Sequence, residues 1–324
     1  MKANPPFEIT PAILSLIAKI ERLLGQVDAS TASRPEPRLR KQNRIRTIKD
    51  SLAIEGNTLS LEQVTAIFEN KKVIGPKREI LEVQNAIKAY EMASKWRVGS
   101  EQDFKKAHAA LMKGLLPHPG AYRTVSVGIM KGSKVSHTAP QPARLPELMS
   151  HLFRFVGDRK NKLSPLILSA VTHYEIEFIH PFEDGNGRMG RLWSHVILSD
   201  YHPAFEVVML ESLIKENQKQ YYQSLEACDQ AGSSTEFVEF SLTLLIEGLE
   251  GLLETSPKRR LTMEERMERA REEFGARWFT RKDYMKLFSG VSGATASRDL
   301  AEATERHALV KKGDLRNTQY KFRS

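Results

Sequence analysis

The stretch from Ser164 to His202 constrains the fold more than any other. Ser164-Pro165 has the form of a helix start, a serine cap followed by a proline in the first turn. Ile167, Ala170, Val171, Tyr174 and Phe178 then recur at the spacing of one apolar helix face. Pro181 stops that helix. The twelve residues HPFEDGNGRMGR (His180–Arg191) follow, and RLWSHVILSDYH is helical again. A buried helix, a polar glycine-bearing corner and a second helix belong to a mainly α chain.

The remaining pattern agrees. Residues 9–26 read as an amphipathic helix, followed by the loop DASTASRPEP and a basic helix from about Leu39 to Ile54 that ends near Glu55-Gly56-Asn57. Ser60 and Gln63 open the next helix as a capping box, and helical stretches continue to about Met112. Before the last fifth of the chain, only RTVSVGIMKGSKVSHTAP (Arg123–Pro140) looks like β structure. It alternates Val125, Val127 and Ile129, turns at Lys131-Gly132-Ser133 and resumes at Val135, as a short hairpin does. Helices resume near Leu145. SPKRR, residues 256–260, marks a boundary. Beyond it come helices over Met263–Phe274, over Arg281–Phe288 with Thr280 as cap, and over about Thr295–His307; ALVKKGDLRNTQYKF then supplies two strands around a Gly-Asp turn. That order is the outline of a winged helix. The expected division is therefore 1–110, 111–255 and 256–324.

Composition excludes several classes. Cys228 is the single cysteine of the 324 residues, so neither an intramolecular disulfide nor a thiolate zinc site is available. The N-terminal helix is broken by Lys19, Glu21 and Arg22, and the most apolar stretch, Phe240–Leu253, by Glu247 and Glu250. A soluble, cytoplasmic chain with no signal peptide and no membrane partner is expected. Residues 257–324 hold 17 Lys and Arg against 10 Asp and Glu, which accounts for +7 of the net +9. A basic segment of this kind suits an acidic partner or plain solubility.

The chemistry concentrates in the twelve-residue corner. Gly185 and Gly187 allow backbone N–H groups to converge just before a helix N-terminus, which makes an anion nest. Arg188 and Arg191 stand three apart on the first turn of that helix and offer guanidinium forks to phosphate oxygens. Asn186 offers an amide donor. Asp184 beside a polyphosphate calls for a hard cation such as Mg²⁺ between them. His180 supplies a base that titrates near neutrality, and Phe182 is the natural apolar anchor under the loop. Transfer of a nucleotide or phosphoryl group to a hydroxyl is the reaction class.

HPFEDGNGRMGR resembles the signature of the Fic family, H-x-F-x-[D/E]-G-N-G-R-x-x-R, at every specified position, and the similarity runs from about residue 40 to residue 250. The resemblance implies a Fic helical core with a short β-hairpin flap over 123–140, followed by the small winged-helix domain. It implies transfer of AMP from ATP to a Ser, Thr or Tyr hydroxyl of a target protein, with self-modification and a homodimer among the family's forms. His180 would be the base, Asp184 the Mg²⁺ ligand, and Gly185, Asn186, Gly187 and Arg188 the cradle of the inner phosphates. Arg191 would hold the γ-phosphate, with Met189 and Gly190 in the same nucleotide-contacting run. SLAIEGN (Ser51–Asn57) resembles the family's inhibitory-helix motif [S/T]-x-x-x-E-[G/N], which implies a regulatory Ser51 and a Glu55 that competes with the γ-phosphate for Arg191. Val125, Val127 and Gly128 would form part of the nucleotide wall, and Tyr221 and Tyr222 would line the adenosine pocket. Asp229 stands where relatives often carry asparagine.

Alternatives stay open at this stage: removal of AMP at the same site, another nucleotide donor, or a DNA-binding regulator whose core senses nucleotide. The third helix of 257–324 carries Arg298 and Arg306 but also Asp299, Glu302 and Glu305, while Lys311, Lys312 and Arg316 lie on the wing. DNA binding and protein docking are both compatible with that balance.

Overall fold

Thr10 begins the first helix of the computed structural model, which describes residues 4–30, 37–131, 134–159, 163–255, 261–288, 290–314 and 317–323. Its hydroxyl accepts from the Ile13 N–H, and Pro11 opens α1 (Pro11–Asp28). Ile13, Ile20, Leu23, Leu24 and Val27 form its buried stripe, which packs on a helix from the far end of the same unit, Thr235–Thr255. Polar contacts secure the N-terminal end of that packing. Thr10 donates to Glu239 at 2.7 Å, and the Ser234 N–H donates to the Pro6 carbonyl at 2.9 Å.

The next helix, α2 (Pro37–Ile54), starts slightly before the expected Leu39 and buries Ile45, Ile48, Ser51, Leu52 and Ile54. It is followed by α3 (Leu61–Phe68), whose Ser60–Gln63 capping box forms as expected, and by α4 (Lys77–Glu91) and α5 (Glu101–Leu111). The hairpin consists of antiparallel strands β1 (Gly128–Lys131) and β2 (Lys134–Thr138), with a register shift after Ile129. Its expected turn falls partly on residues 132 and 133, outside the described residues. The strand does not begin at Val125, as the alternation suggests. The Val125 carbonyl instead accepts from the Arg123 guanidinium at 2.9 Å, so this backbone is committed to a buried cation and not to a ladder.

After α6 (Leu145–Arg159) come α7 (Pro165–Ile179) and α8 (Asn186–Tyr201), which pack closely against each other and carry the motif in the corner between them. Nine consecutive residues of α7 are buried, from Leu166 to Tyr174, and again Ile176 and Ile179. A helix apolar all round is a central helix. Ser164 sits in its cap position but makes no side-chain capping bond. On α8, Trp193 is fully buried and donates its indole N–H to the Val98 carbonyl at 3.2 Å. The helices α9 (Leu210–Glu216), α10 (Gln218–Ala231) and α11 (Thr235–Thr255) complete this unit. Buried side chains from Ile13 through Leu252 form one continuous core, in the unit Met1–Pro257. Among the described residues no helix is long and apolar enough to cross a membrane.

The second unit, Lys258–Ser324, has its own core. It contains α12 (Met263–Phe274), β3 (Phe279–Thr280), α13 (Arg281–Leu287), α14 (Gly293–Glu305), β4 (Leu309–Lys312) and β5 (Gln319–Phe322). The three helices lie close to their expected ranges. The sheet differs: it has three strands in the order β3-β5-β4, because Phe279 and Thr280 pair with Tyr320 and Gln319. Two residues are too few to show a period. Asp299, counted above with the acids of the third helix, faces inward. It takes a bidentate pair from Arg266 at 2.6 and 2.8 Å and a hydrogen bond from Tyr284 at 3.0 Å, and so does not weaken an anion-binding face.

Candidate active site

The site is built on a strained corner. His180 ends α7 in the left-handed conformation, φ 49°, with its N–H on the Ile176 carbonyl. Buried Arg123 holds that corner shut. Its Nε donates to the His180 carbonyl at 2.7 Å, its Nη2 to the Pro140 carbonyl at 2.6 Å, and its backbone N–H to the Pro181 carbonyl at 3.0 Å. Burial lowers the guanidinium pKa, yet the surrounding carbonyls leave it well solvated by protein. Arg123→Ala strands several buried carbonyls at once, each a sizeable penalty, and is expected to cost about 3 kcal/mol of stability. Urea denaturation reads this directly; a loss under about 1 kcal/mol would remove Arg123 as the clamp.

Phe182 is fully buried, as an anchor should be, and its ring stacks on His108 with centroids 3.6 Å apart. The Gly120 N–H donates to His108 Nδ1 at 2.8 Å. That fixes the proton on Nε2, which donates to the Asp184 carbonyl at 2.9 Å. Burial pushes His108 down to about 4, so it is a neutral strut under the loop. Asn186 is a second strut: its Oδ1 accepts from Phe182 N at 2.8 Å and its Nδ2 donates to Phe182 O at 2.9 Å. The amide read above as an anion donor is spent on closing the loop.

His180, Asp184, Gly185, Gly187 and Arg191 open into one cavity of about 380 Å³, within the size of small-molecule sites, roughly 300–1,000 Å³. Gly185, at φ 86°, immediately precedes α8, whose N-terminus therefore points its free N–H groups and partial positive charge at this space. Glu55 already occupies that position. Its Oε1 lies 2.5 Å from where a Cβ on Gly187 would stand, so only glycine lets the carboxylate in. Arg191 Nη2 donates to Glu55 Oε1 at 2.7 Å, and also to the Ser51 carbonyl at 3.0 Å, while Nε donates to the Ser51 hydroxyl at 3.1 Å. Burial opposes the Arg191 charge, but Glu55, Tyr221 and Glu177 outweigh it and raise its pKa.

Glu177 stands one turn before His180 and was not singled out from the sequence, although the i, i+3 spacing reaches it. Burial first, then the nearby Glu55 charge, push it up to about 7. Buried Tyr221 donates to it at 3.1 Å and meets His173 Nε2 at 3.1 Å. His173 is pushed down to about 3, by burial and then by Arg191. Tyr222 lies half-exposed on the cavity wall with Leu225, Phe178, Tyr174 and Asp229. Asp229 accepts from the Tyr174 hydroxyl at 2.9 Å.

Some residues expected at the site lie elsewhere. Val125, Val127 and Gly128 do not line the cavity, and neither do Met189, Gly190 and Arg188. Met189 is fully buried in the core, and Gly190 lies against His173, where an added Cβ would sit 2.5 Å from that ring. The helical period explains this, since both residues face away from the turn that carries Gly187 and Arg191. Arg188 is nearly buried and pairs with Asp184 at 2.9 Å. Among the described residues its Nε has no hydrogen-bond partner. His108, Arg123, Arg78 and Glu82 were also missed, and each comes from an element whose local sequence gives no sign of this role.

Residues 99–198 match the model of the Fic/DOC family. Over nearly its whole length the chain is similar to a Fic family protein of known structure from Desulfovibrio desulfuricans G20, with 37% identity, 99% of each chain covered and a TM-score of 0.75. This chain belongs to the Fic family. Its HPFEDGNGRMGR corner is thus the Fic motif, set between α7 and α8. More distant relatives include the protein adenylyltransferase Fic of Drosophila grimshawi, 28% identical over 240 residues, which is 70% of this chain and 46% of that protein. The Aedes aegypti protein of the same name is 29% identical over 237 residues, 68% of this chain and 45% of the relative. This Fic chain spans less than half the length of those adenylyltransferases.

Proposed function

We propose that this protein is a protein adenylyltransferase that moves AMP from ATP to a side-chain hydroxyl, held in check by Glu55. The observation that carries it is the opening of His180, Asp184, Gly187 and Arg191 into one cavity. In the reaction the hydroxyl oxygen of the acceptor bonds to the α-phosphorus, the bond from that phosphorus to the bridging oxygen breaks, and pyrophosphate leaves. His180 takes the hydroxyl proton. Its Nδ1 lies 3.4 Å from the Glu177 carbonyl, which can only accept, so the neutral ring keeps its proton on Nδ1 and presents a basic Nε2. The N-terminus of α8 and Arg191, which open into the cavity, bind the phosphates.

Asp184 would hold Mg²⁺. Its partly exposed carboxylate on the cavity wall suits an ion that takes one or two carboxylates and completes its shell with phosphate and water. Bound there, Mg²⁺ would neutralise developing phosphate charge. Glu55 on Arg191 supports the autoinhibitory reading, because the carboxylate sits on the guanidinium and helix end that a terminal phosphate needs. The order helix, strand, helix, helix, hairpin supports reading 258–324 as a winged helix, and its excess of Lys and Arg suits an acidic partner.

The test is incorporation of label from α-labelled ATP into the protein itself or an added acceptor. Label that appears in a Glu55→Gly variant and disappears with His180 supports transfer. A variant that binds ATP yet never labels, while stripping AMP from a modified acceptor, would replace transfer by the reverse reading.

A further inference from the structure

Asp184 belongs to a closed ring of four charges. Arg188 Nη2 holds its Oδ1 at 2.9 Å and Arg78 Nη2 holds its Oδ2 at 3.2 Å. Both arginines also face Glu82 Oε1, Arg78 through Nε at 3.5 Å and Arg188 through Nη1 at 3.7 Å. Two guanidinium groups and two carboxylates alternate, so the ring is neutral. It is also lopsided in exposure. The Arg188 and Glu82 side chains are 6% and 13% exposed, whereas Arg78 and Asp184 are 61% and 40% exposed. The inner pair is packed in place; the outer pair meets solvent, where an ion pair contributes little and exchanges readily.

We propose that Arg78 is a stand-in cation for Asp184 and a phosphate ligand once displaced. This rests on the nucleotide-transfer reading above. Arg78 sits in the first turn of α4, and Glu82 holds it from one turn further along the same helix. A divalent cation taking Oδ2 of Asp184 removes one of its two partners and puts a like charge beside it. Glu82 remains as a pivot. The anions that arrive with the cation are phosphate oxygens, and a planar guanidinium matches them in a bidentate manner. Arg78 thus guards Asp184 in the resting protein and then stabilises the pyrophosphate half as it gains charge. The cation and Arg78 exchange partners, and no charge is left uncompensated at either stage.

The test compares the full-length protein with Arg78→Ala and Arg78→Lys in two binding measurements. Mn²⁺ alone is followed by the paramagnetic signal of the free ion. The Mn²⁺ complex of α,β-methylene-ATP, which cannot transfer its nucleotide, is followed by calorimetry. For Arg78→Ala we expect Mn²⁺ alone to bind severalfold tighter, since its competitor is gone. The nucleotide complex should bind about tenfold weaker, the loss of one charge-assisted contact. Arg78→Lys, which keeps the charge without the fork, should leave Mn²⁺ near wild type and recover part of the nucleotide affinity. Opposite signs are the signature, because a merely loosened site weakens both. Shifts of the same sign, or neither beyond about twofold, overturn the proposal. Tighter Mn²⁺ without any nucleotide binding, even when Glu55→Gly is added to wild type and variant alike, overturns the phosphate role together with the nucleotide-transfer reading; nucleotide binding unchanged by Arg78→Ala overturns the role of Arg78 alone.

Discussion

Glu55→Gly is expected to raise incorporation of α-labelled ATP by about 10- to 100-fold, the equivalent of one charge-assisted hydrogen bond removed from a competitor. The substitution is structurally mild. Glu55 follows the last residue of α2, so glycine there breaks no helical interior. Arg191 also stays in place, because its bonds to the Ser51 hydroxyl and carbonyl do not depend on Glu55. What changes is the occupant of the α8 N-terminus: a carboxylate leaves and a phosphate can take its bonds. Initial rates of labelling at saturating ATP, wild type against variant, decide the matter. Equal rates would mean that the ion pair at 2.7 Å is structural and no brake.

In that released background, removing the imidazole of His180 is expected to lower transfer by about 10²- to 10⁴-fold, the usual reach of a positioned general base. Binding of ATP should persist, since the phosphates are held by α8 and Arg191. The choice of replacement matters because His180 adopts φ 49°. Alanine is disfavoured in that region, whereas asparagine adopts it readily. His180→Asn therefore separates loss of the base from distortion of the corner. If His180→Asn labels as fast as its parent while binding ATP equally, another group takes the hydroxyl proton.

The residues that were legible from the sequence share a property: their roles follow from local geometry. Glycines at a corner, arginines one turn apart, a capping box at Ser60 and a serine and glutamate four apart at the end of α2 all act within a few residues of one another. The same local rules located the helices of both units to within a few residues. They failed where a neighbour far along the chain overrode them. Val125 alternates like a strand residue, but Arg123 takes its carbonyl. Asn186 looks like a free amide, but Phe182 uses both of its ends. Asp299 looks like a surface acid until Arg266 and Tyr284 are brought to it.

Residue type and spacing settle which chemistry is on offer: a base, a carboxylate, an anion nest and two guanidinium groups in twelve residues, with a competing carboxylate far upstream. Tertiary structure decided how those groups are deployed. It set Glu55 onto Arg191, turned Arg188 inward onto Asp184, placed half-buried Glu177 on the cavity wall and clamped His180 from Arg123. The physical reason is that a short-range pattern specifies backbone shape and side-chain type. Burial, pairing and pKa depend on which distant helix supplies the wall, and only the packed core of α1 to α11 brings those helices together.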